Sequence, residues 1–200
     1  MVTMTPTLAW EALVEGNKRY AADTAVNRNR NDDRRHEVAE DPRPFAMILG
    51  CADSRVPPEV IFDQGLGDLF TVRLAGNVAD DNAIGSLEFA VLTFGSALIV
   101  VLGHEKCSAV IATVDAVEKK TSAPGYIDSI IAYIKPAVAP LVGKPRYTLD
   151  AAIRANIRAV ARSLSSKSSI LARHISSGKL QIKGACYSLT DGQVTPVDIS

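Results

Sequence analysis

Phe45-Ala46-Met47-Ile48-Leu49-Gly50-Cys51-Ala52-Asp53-Ser54-Arg55 is the stretch from which the rest of the chain can be read. Its opening apolar run, stopped by Gly50, is too short for a helix and lacks the alternation of a half-exposed strand. It reads as a strand buried on both faces. Directly after the stop, a thiol, a carboxylate and a guanidinium occupy alternate positions: Cys51, Asp53 and Arg55. A second apolar run, Ala97 to Leu102, has the same form, ending at Gly103 and His104 with Cys107 three residues on. Strands of this kind belong to parallel sheets covered by helices, and the carboxyl ends of such strands border the crevice where ligands bind. Two loops distant in sequence can therefore converge on one site.

Outward from these runs the chain alternates strands and helices. Thr5 and Pro6 start a first helix with Trp10, Leu13, Asn17 and Tyr20 near one face. Residues 23–43 are polar, without apolar periodicity, and read as a connecting segment. Leu69 to Leu74 is a short strand, and Ile84, Leu87, Val91 and Phe94 keep helical spacing up to Gly95. Cys107, Val110, Val114 and Val117 share a helical face, and the spacing predicts that His104 and Cys107 lie on one side of its first turn. Residues 121–146, with four prolines and two glycines, read as short broken helices and loops. Thr148 caps a long amphipathic helix through Leu149, Ile153, Ile157, Val160, Leu164 and Leu171 to a stop at Gly178. Leu180 to Tyr187 is a final strand, and Asp191-Gly192 turns the chain into a return strand around Val194 to Val197. The expected class is α/β, a mainly parallel central sheet flanked by helices, as a single domain over residues 1–200.

Composition narrows the function. With 47% apolar residues among 200, the chain can bury a core without staples. The 22 basic and 22 acidic residues cancel, and the charged run Arg28 to Glu37 mixes both signs, so no nucleic-acid partner is expected. No apolar run approaches the length of about 18 residues that spans a bilayer, and no membrane partner is expected. The N-terminus lacks the pattern of a secretory leader, and three cysteines do not make a disulfide framework; the expected location is the cytoplasm.

In that setting the cysteines are metal ligands, catalytic groups or core. Two thiolates and an imidazole, Cys51, Cys107 and His104, suit Zn²⁺, with a fourth position left to Asp53, water or substrate. Each residue alone has a plain structural reading: a buried thiol, a core histidine, an Asp53–Arg55 surface pair or cap. The coincidence of both clusters after apolar strands favours the metal. Cys186, inside a strand pattern without ligand-type neighbours, is assigned to packing, and His36 and His174 to exposed polar stretches. A zinc with Asp53 as a permanent ligand would be structural. Arg55 competes with the metal for that carboxylate, so the site reads as exchangeable, its fourth position open to a water made acidic by the metal.

Gly50-Cys51-Ala52-Asp53-Ser54-Arg55-Val56 and Gly103-His104-Glu105-Lys106-Cys107 resemble the two zinc motifs of the β-class carbonic anhydrases, and the similarity extends through Asp63 to Asn77 and Gly85 to Phe89. The resemblance implies zinc on Cys51, His104 and Cys107, with Asp53 as a fourth ligand in a closed form or as the partner of Arg55 in an open one. It implies hydration of CO₂ to bicarbonate and a proton by hydroxide on the zinc. The alternatives are a related zinc hydrolase acting on CS₂ or COS, or a non-catalytic zinc-stabilised oligomeric module. It also implies a homodimer or homotetramer whose first helix extends across a neighbouring subunit, and substrate contacts from Phe70 and Phe89. Two positions depart from the pattern: Pro42 where many members have a substrate-binding glutamine, and Ser108 where glycine is usual. Ile48 stands where members with an inhibitory bicarbonate site have tryptophan.

Overall fold

The computed structural model describes residues 4–145 and 147–200; Arg146, in the proline-rich stretch, and residues 1–3 lie outside it. Strands β1 (Ala46–Gly50), β2 (Leu69–Arg73), β3 (Leu98–His104), β4 (Gln181–Tyr187) and β5 (Val194–Val197) form one sheet in the order β2-β1-β3-β4-β5. All neighbours are parallel except β4 and β5. Both apolar runs are central, and every residue of β1 and β3 is buried. Alternation sorts their side chains between two cores. Met47, Leu49, Ile99 and Val101 face helices α4 (Asp81–Phe94), α5 (Ser108–Lys119), α6 (Ile127–Val138) and α7 (Leu149–Lys167). Ala46, Ile48, Leu98, Val100 and Leu102 face α1 (Pro6–Ala21) and the short α3 (Pro58–Ile61). The expected α/β class, with helices flanking a mainly parallel sheet, is the one observed.

Helix α1 begins where expected, Thr5 accepting a hydrogen bond from Leu8 N. Its buried stripe, Ala9, Leu13, Gly16 and Asn17, is rotated from the predicted one, leaving Trp10 and Tyr20 half-buried at its margins. A Cβ on Gly16 would collide with the Phe62 carbonyl, so the glycine permits close approach to the end of α3. Asn17 bonds Ile61 O, Gly192 O and Val194 N, tying α1 to its own sheet.

Four expectations need correction. The polar segment 23–43 contains helix α2 (Asp32–Glu40). It buries no residue, so no periodicity reveals it. Asn31 caps it, Asp32 and Asp33 suit its positive end, and Arg34 docks it on Leu66 O and Asp68. The stretch 121–145 is not all broken structure: α6 is a regular helix with Ile131, Ile134 and Val138 inward, and Pro136, in its last turn, forgoes one N–H bond to the Ala132 carbonyl while the helix ends two residues on. The long C-terminal helix ends at Lys167, and α8 (Ser169–Ser176) follows at an angle. Ser168 takes an extended conformation, caps Leu171 N and donates to Glu88, which breaks the run. Strand β3 runs through Gly103 to His104, two residues further than the apolar run. Among the described residues no helix is long and apolar enough to cross a membrane.

Candidate metal centre

Sheet register brings the two chemical loops together. Gly50 lies opposite Leu102, so Cys51, one step on, is level with Gly103 and beside His104. The Cys51 and Cys107 sulfurs and a ring nitrogen of His104 lie within 4.8 Å of one another, all three residues buried. The convergence does not use the predicted helical turn. His104 closes β3, Lys106 reverses the chain at φ +53°, and Cys107 is the N-cap position of α5. That position sets the sulfur at the positive end of the helix dipole, which favours a thiolate.

Each donor is oriented by its surroundings. His104 Nδ1 lies 2.8 Å from the Glu105 carbonyl, which can only accept, so Nδ1 carries the proton and Nε2 offers its lone pair to the cluster. That Nε2 is buried without a hydrogen-bond partner. An orphaned lone pair beside two thiols is the arrangement a tetrahedral S₂N metal site needs, and the donor set is the one Zn²⁺ prefers. Cys51 Sγ accepts from Gly76 N–H at 3.3 Å. The neighbouring Cys107 sulfur lowers the Cys51 thiol's pKa against its burial, and the same closeness together with burial raises that of Cys107. Burial alone lowers the His104 pKa, but the nearby Cys51 sulfur and its charge outweigh it and the net shift is upward.

Asp53 sits beside the cluster with its carboxylate engaged by Arg55. Its carboxylate takes Arg55 Nε at 2.9 Å, Arg55 Nη2 at 2.7 Å and Arg55 backbone N at 2.9 Å, with Oδ2 3.9 Å from His104 Nε2. The Arg55 side-chain hydrogen bond holds this carboxyl well below the usual carboxylate range. The loop is held from the edge strand by Arg73, which donates to Cys51 O at 2.9 Å and Asp53 O at 2.5 Å.

Phe70 and Phe89 are not brought to this cluster within one chain. Phe70 lies opposite Met47, four residues before Cys51, about 13 Å along the strand at ~3.3 Å per residue. It packs at 6.0 Å on Phe94, which Phe89 meets edge-on at 5.9 Å. Phe89 remains 57% exposed. Pro42 and Ser108 are exposed, and Ile48 is core. Cys186 is buried in the core, its thiol pushed up to about 11 by that burial. His36 is exposed beside Asp32, and His174 bonds within α8. The reading of residue types missed Arg73, the Gly76 N–H and Asn156, whose amide holds Gly76 O at 2.9 Å. Asn156 had one available signal, a polar residue inside the apolar spacing Ile153, Ile157, Val160.

Two thiols and an imidazole at the carboxyl edge of a parallel α/β sheet define a class of transition-metal site. The family described as carbonic anhydrase matches residues 46–194. The chain is 40% identical to carbonic anhydrase 2 of Mycobacterium tuberculosis over 96% of its length and 93% of that protein. It is 36% identical to the carbonic anhydrase of Mycolicibacterium smegmatis over 97% and 94%. The solved Coccomyxa β-carbonic anhydrase in complex with acetazolamide matches at a TM-score of 0.72 and 25% identity, covering 98% of this chain and 87% of that one. The chain belongs to the β-class carbonic anhydrases and is an enzyme of that class.

Proposed function

We propose that residues 1–200 act as one unit that hydrates CO₂ reversibly to bicarbonate and a proton, with Zn²⁺ held by Cys51, His104 and Cys107. The observation that carries this is the buried His104, its Nε2 unpartnered and a ring nitrogen within 4.8 Å of both sulfurs, beside an Asp53 engaged by Arg55. Zinc on such ligands lowers the pKa of a water it binds and supplies a nucleophile near neutral pH.

The chain's residues do the remainder. Asp53, kept ionised by Arg55, is an obligate acceptor 3.9 Å from the imidazole nitrogen, placed to take a hydrogen bond from the reacting water and orient its lone pair. Arg55 engages both oxygens of the carboxylate and would keep it from binding a metal held by Cys51, His104 and Cys107. Arg73 fixes the loop carrying both, so the geometry is set before substrate arrives. CO₂ is uncharged and suits an apolar wall. The wall is Phe70 and Phe89, and because Phe70 lies about 13 Å from its own cluster at ~3.3 Å per strand residue, a second copy must bring it. Exposed Phe89 and Leu92 on α4 and the free side of edge strand β2 support a homodimer, or a homotetramer built from dimers. A reducing cytoplasm suits a site of free thiols.

The test is the stopped-flow CO₂ hydration rate against pH, with zinc measured in parallel. One zinc per chain and a rate rising above neutrality are expected, with loss of rate on chelation and recovery on adding zinc back. Zinc-loaded protein no faster than buffer on CO₂ would overturn the reading; faster turnover of CS₂ or COS would redirect it to those substrates.

A further inference from the structure

Asn156 stands in the buried stripe of α7, flanked by Ala152, Ile153, Ile157 and Val160, and is 1% exposed. Its Nδ2 donates to Gly76 O at 2.9 Å, while its Oδ1 is buried without a partner. Flipping the amide would set oxygen against the carbonyl, so the orientation is fixed by chemistry. Leaving a buried acceptor orphaned is costly, and the bond to Gly76 O is what offsets that cost. Gly76 belongs to the 3₁₀ turn Ala75–Asn77, at φ +68°, and its own N–H is 3.3 Å from Cys51 Sγ. A Cβ there would lie 2.6 Å from Ile134 Cδ1. The turn is thus pressed against α6 on one side and held by α7 on another, with its amide aimed at the thiolate.

We propose that Asn156 is a positioning residue of the metal centre, clamping the Ala75–Asn77 turn so that Gly76 N–H stays directed at the Cys51 sulfur. This rests on Cys51 being a metal ligand. The N–H···S bond withdraws electron density from the thiolate, fixes its direction and so tunes its donation to the metal.

The test uses Asn156→Leu and Asn156→Ser in the full chain, read by the thiolate-to-cobalt charge-transfer band of the Co²⁺ form and the Gly76 amide proton shift of the Zn²⁺ form. Asn156→Leu is expected to move the band to longer wavelength, shift the Gly76 proton upfield, and release zinc to a chelator about 10- to 100-fold more readily. Asn156→Ser, which keeps a donor, should fall between it and the wild type. A packing role alone ranks the variants the other way, since Leu fills the space and Ser leaves a cavity. Unchanged band and Gly76 shift in a folded variant would overturn the proposal; if Asn156→Leu does not fold, Asn156→Ser against wild type decides it. A wild-type Co²⁺ form with no charge-transfer band would overturn the thiolate-metal reading itself, a distinguishable failure.

Discussion

Asp53 and Arg55 are joined by three hydrogen bonds, two from the guanidinium and one from the Arg55 backbone N–H, which together use both carboxylate oxygens. The pairing holds Asp53 Oδ2 3.9 Å from His104 Nε2, beyond hydrogen-bond reach, and fixes its ionised form. Under the proposed function, Arg55→Ala would free the carboxylate to bind the metal itself and would remove its alignment with the reacting water. The expected result is a fall of about 100-fold in kcat/KM, the scale of a misplaced catalytic group, with zinc still one per chain. Arg55→Lys, which keeps charge but not the bidentate fork, should recover only a minor part. Full activity in Arg55→Ala, measured with zinc content, would refute the gating role.

How much of this was legible beforehand depends on where each contact's partner lies. Strands β1 and β3 were readable because burial on both faces leaves an uninterrupted apolar run, and Cys51 and His104 because they directly follow those runs. Helix α2 was not, since it lacks an apolar face and is held by Arg34 reaching Asp68 across a gap no periodicity encodes. Helix α6 was hidden because Pro136 reads as a breaker unless its position in the last turn is known. The converging pair His104 and Cys107 was found through a wrong local geometry, because the sequence does not display the positive φ of Lys106. Asn156 acts on a backbone carbonyl 80 residues away, and backbone groups leave no trace in residue identity.

Phe89 and Leu92 should report on assembly. Both are on α4, 57% and 62% exposed, and in the proposed function the aromatic wall would reach a metal cluster only between copies. Phe89→Glu with Leu92→Glu would place repelling charges on that surface and leave the chain's own core intact. Sedimentation should show a shift to monomer, and CO₂ hydration should fall with it while each chain keeps its zinc. A monomeric double variant retaining full activity would sink the shared-site reading.

Asp63 gives a pH-dependent prediction. Its side chain is fully buried and takes Arg19 Nε at 2.6 Å, Val26 N at 3.1 Å and Asn27 N at 2.9 Å. Burial pushes its pKa up, but these donors outweigh it, and the net shift is below the ordinary 3.8. A depressed carboxyl stabilises the fold fully above its unfolded pKa, and the contribution fades as pH falls through the lower, folded value. Asp63→Asn should therefore cost about 3 kcal/mol at pH 7, with the gap to wild type narrowing below about pH 4. Urea unfolding across that range checks it, and a gap independent of pH would exclude ionisation as its source.

Gly103 precedes His104 on β3, and an added Cβ would lie 2.5 Å from Ile157 Cδ1 and 2.6 Å from its Cγ1. Closeness to Cγ1 matters, because rotating the far end of the side chain relieves only the first contact. Gly103→Ala should push α7 off the sheet at a cost of about 1–3 kcal/mol, and the shift should reach the cluster because Asn156 adjoins Ile157. Ile157→Ala alone should cost about 2–5 kcal/mol from the cavity it leaves. Combined, the new methyl partly fills that cavity, so the double variant should be more stable than the sum of the single losses by on the order of 1 kcal/mol. Strict additivity in urea unfolding would mean that Gly103 is not small on account of Ile157.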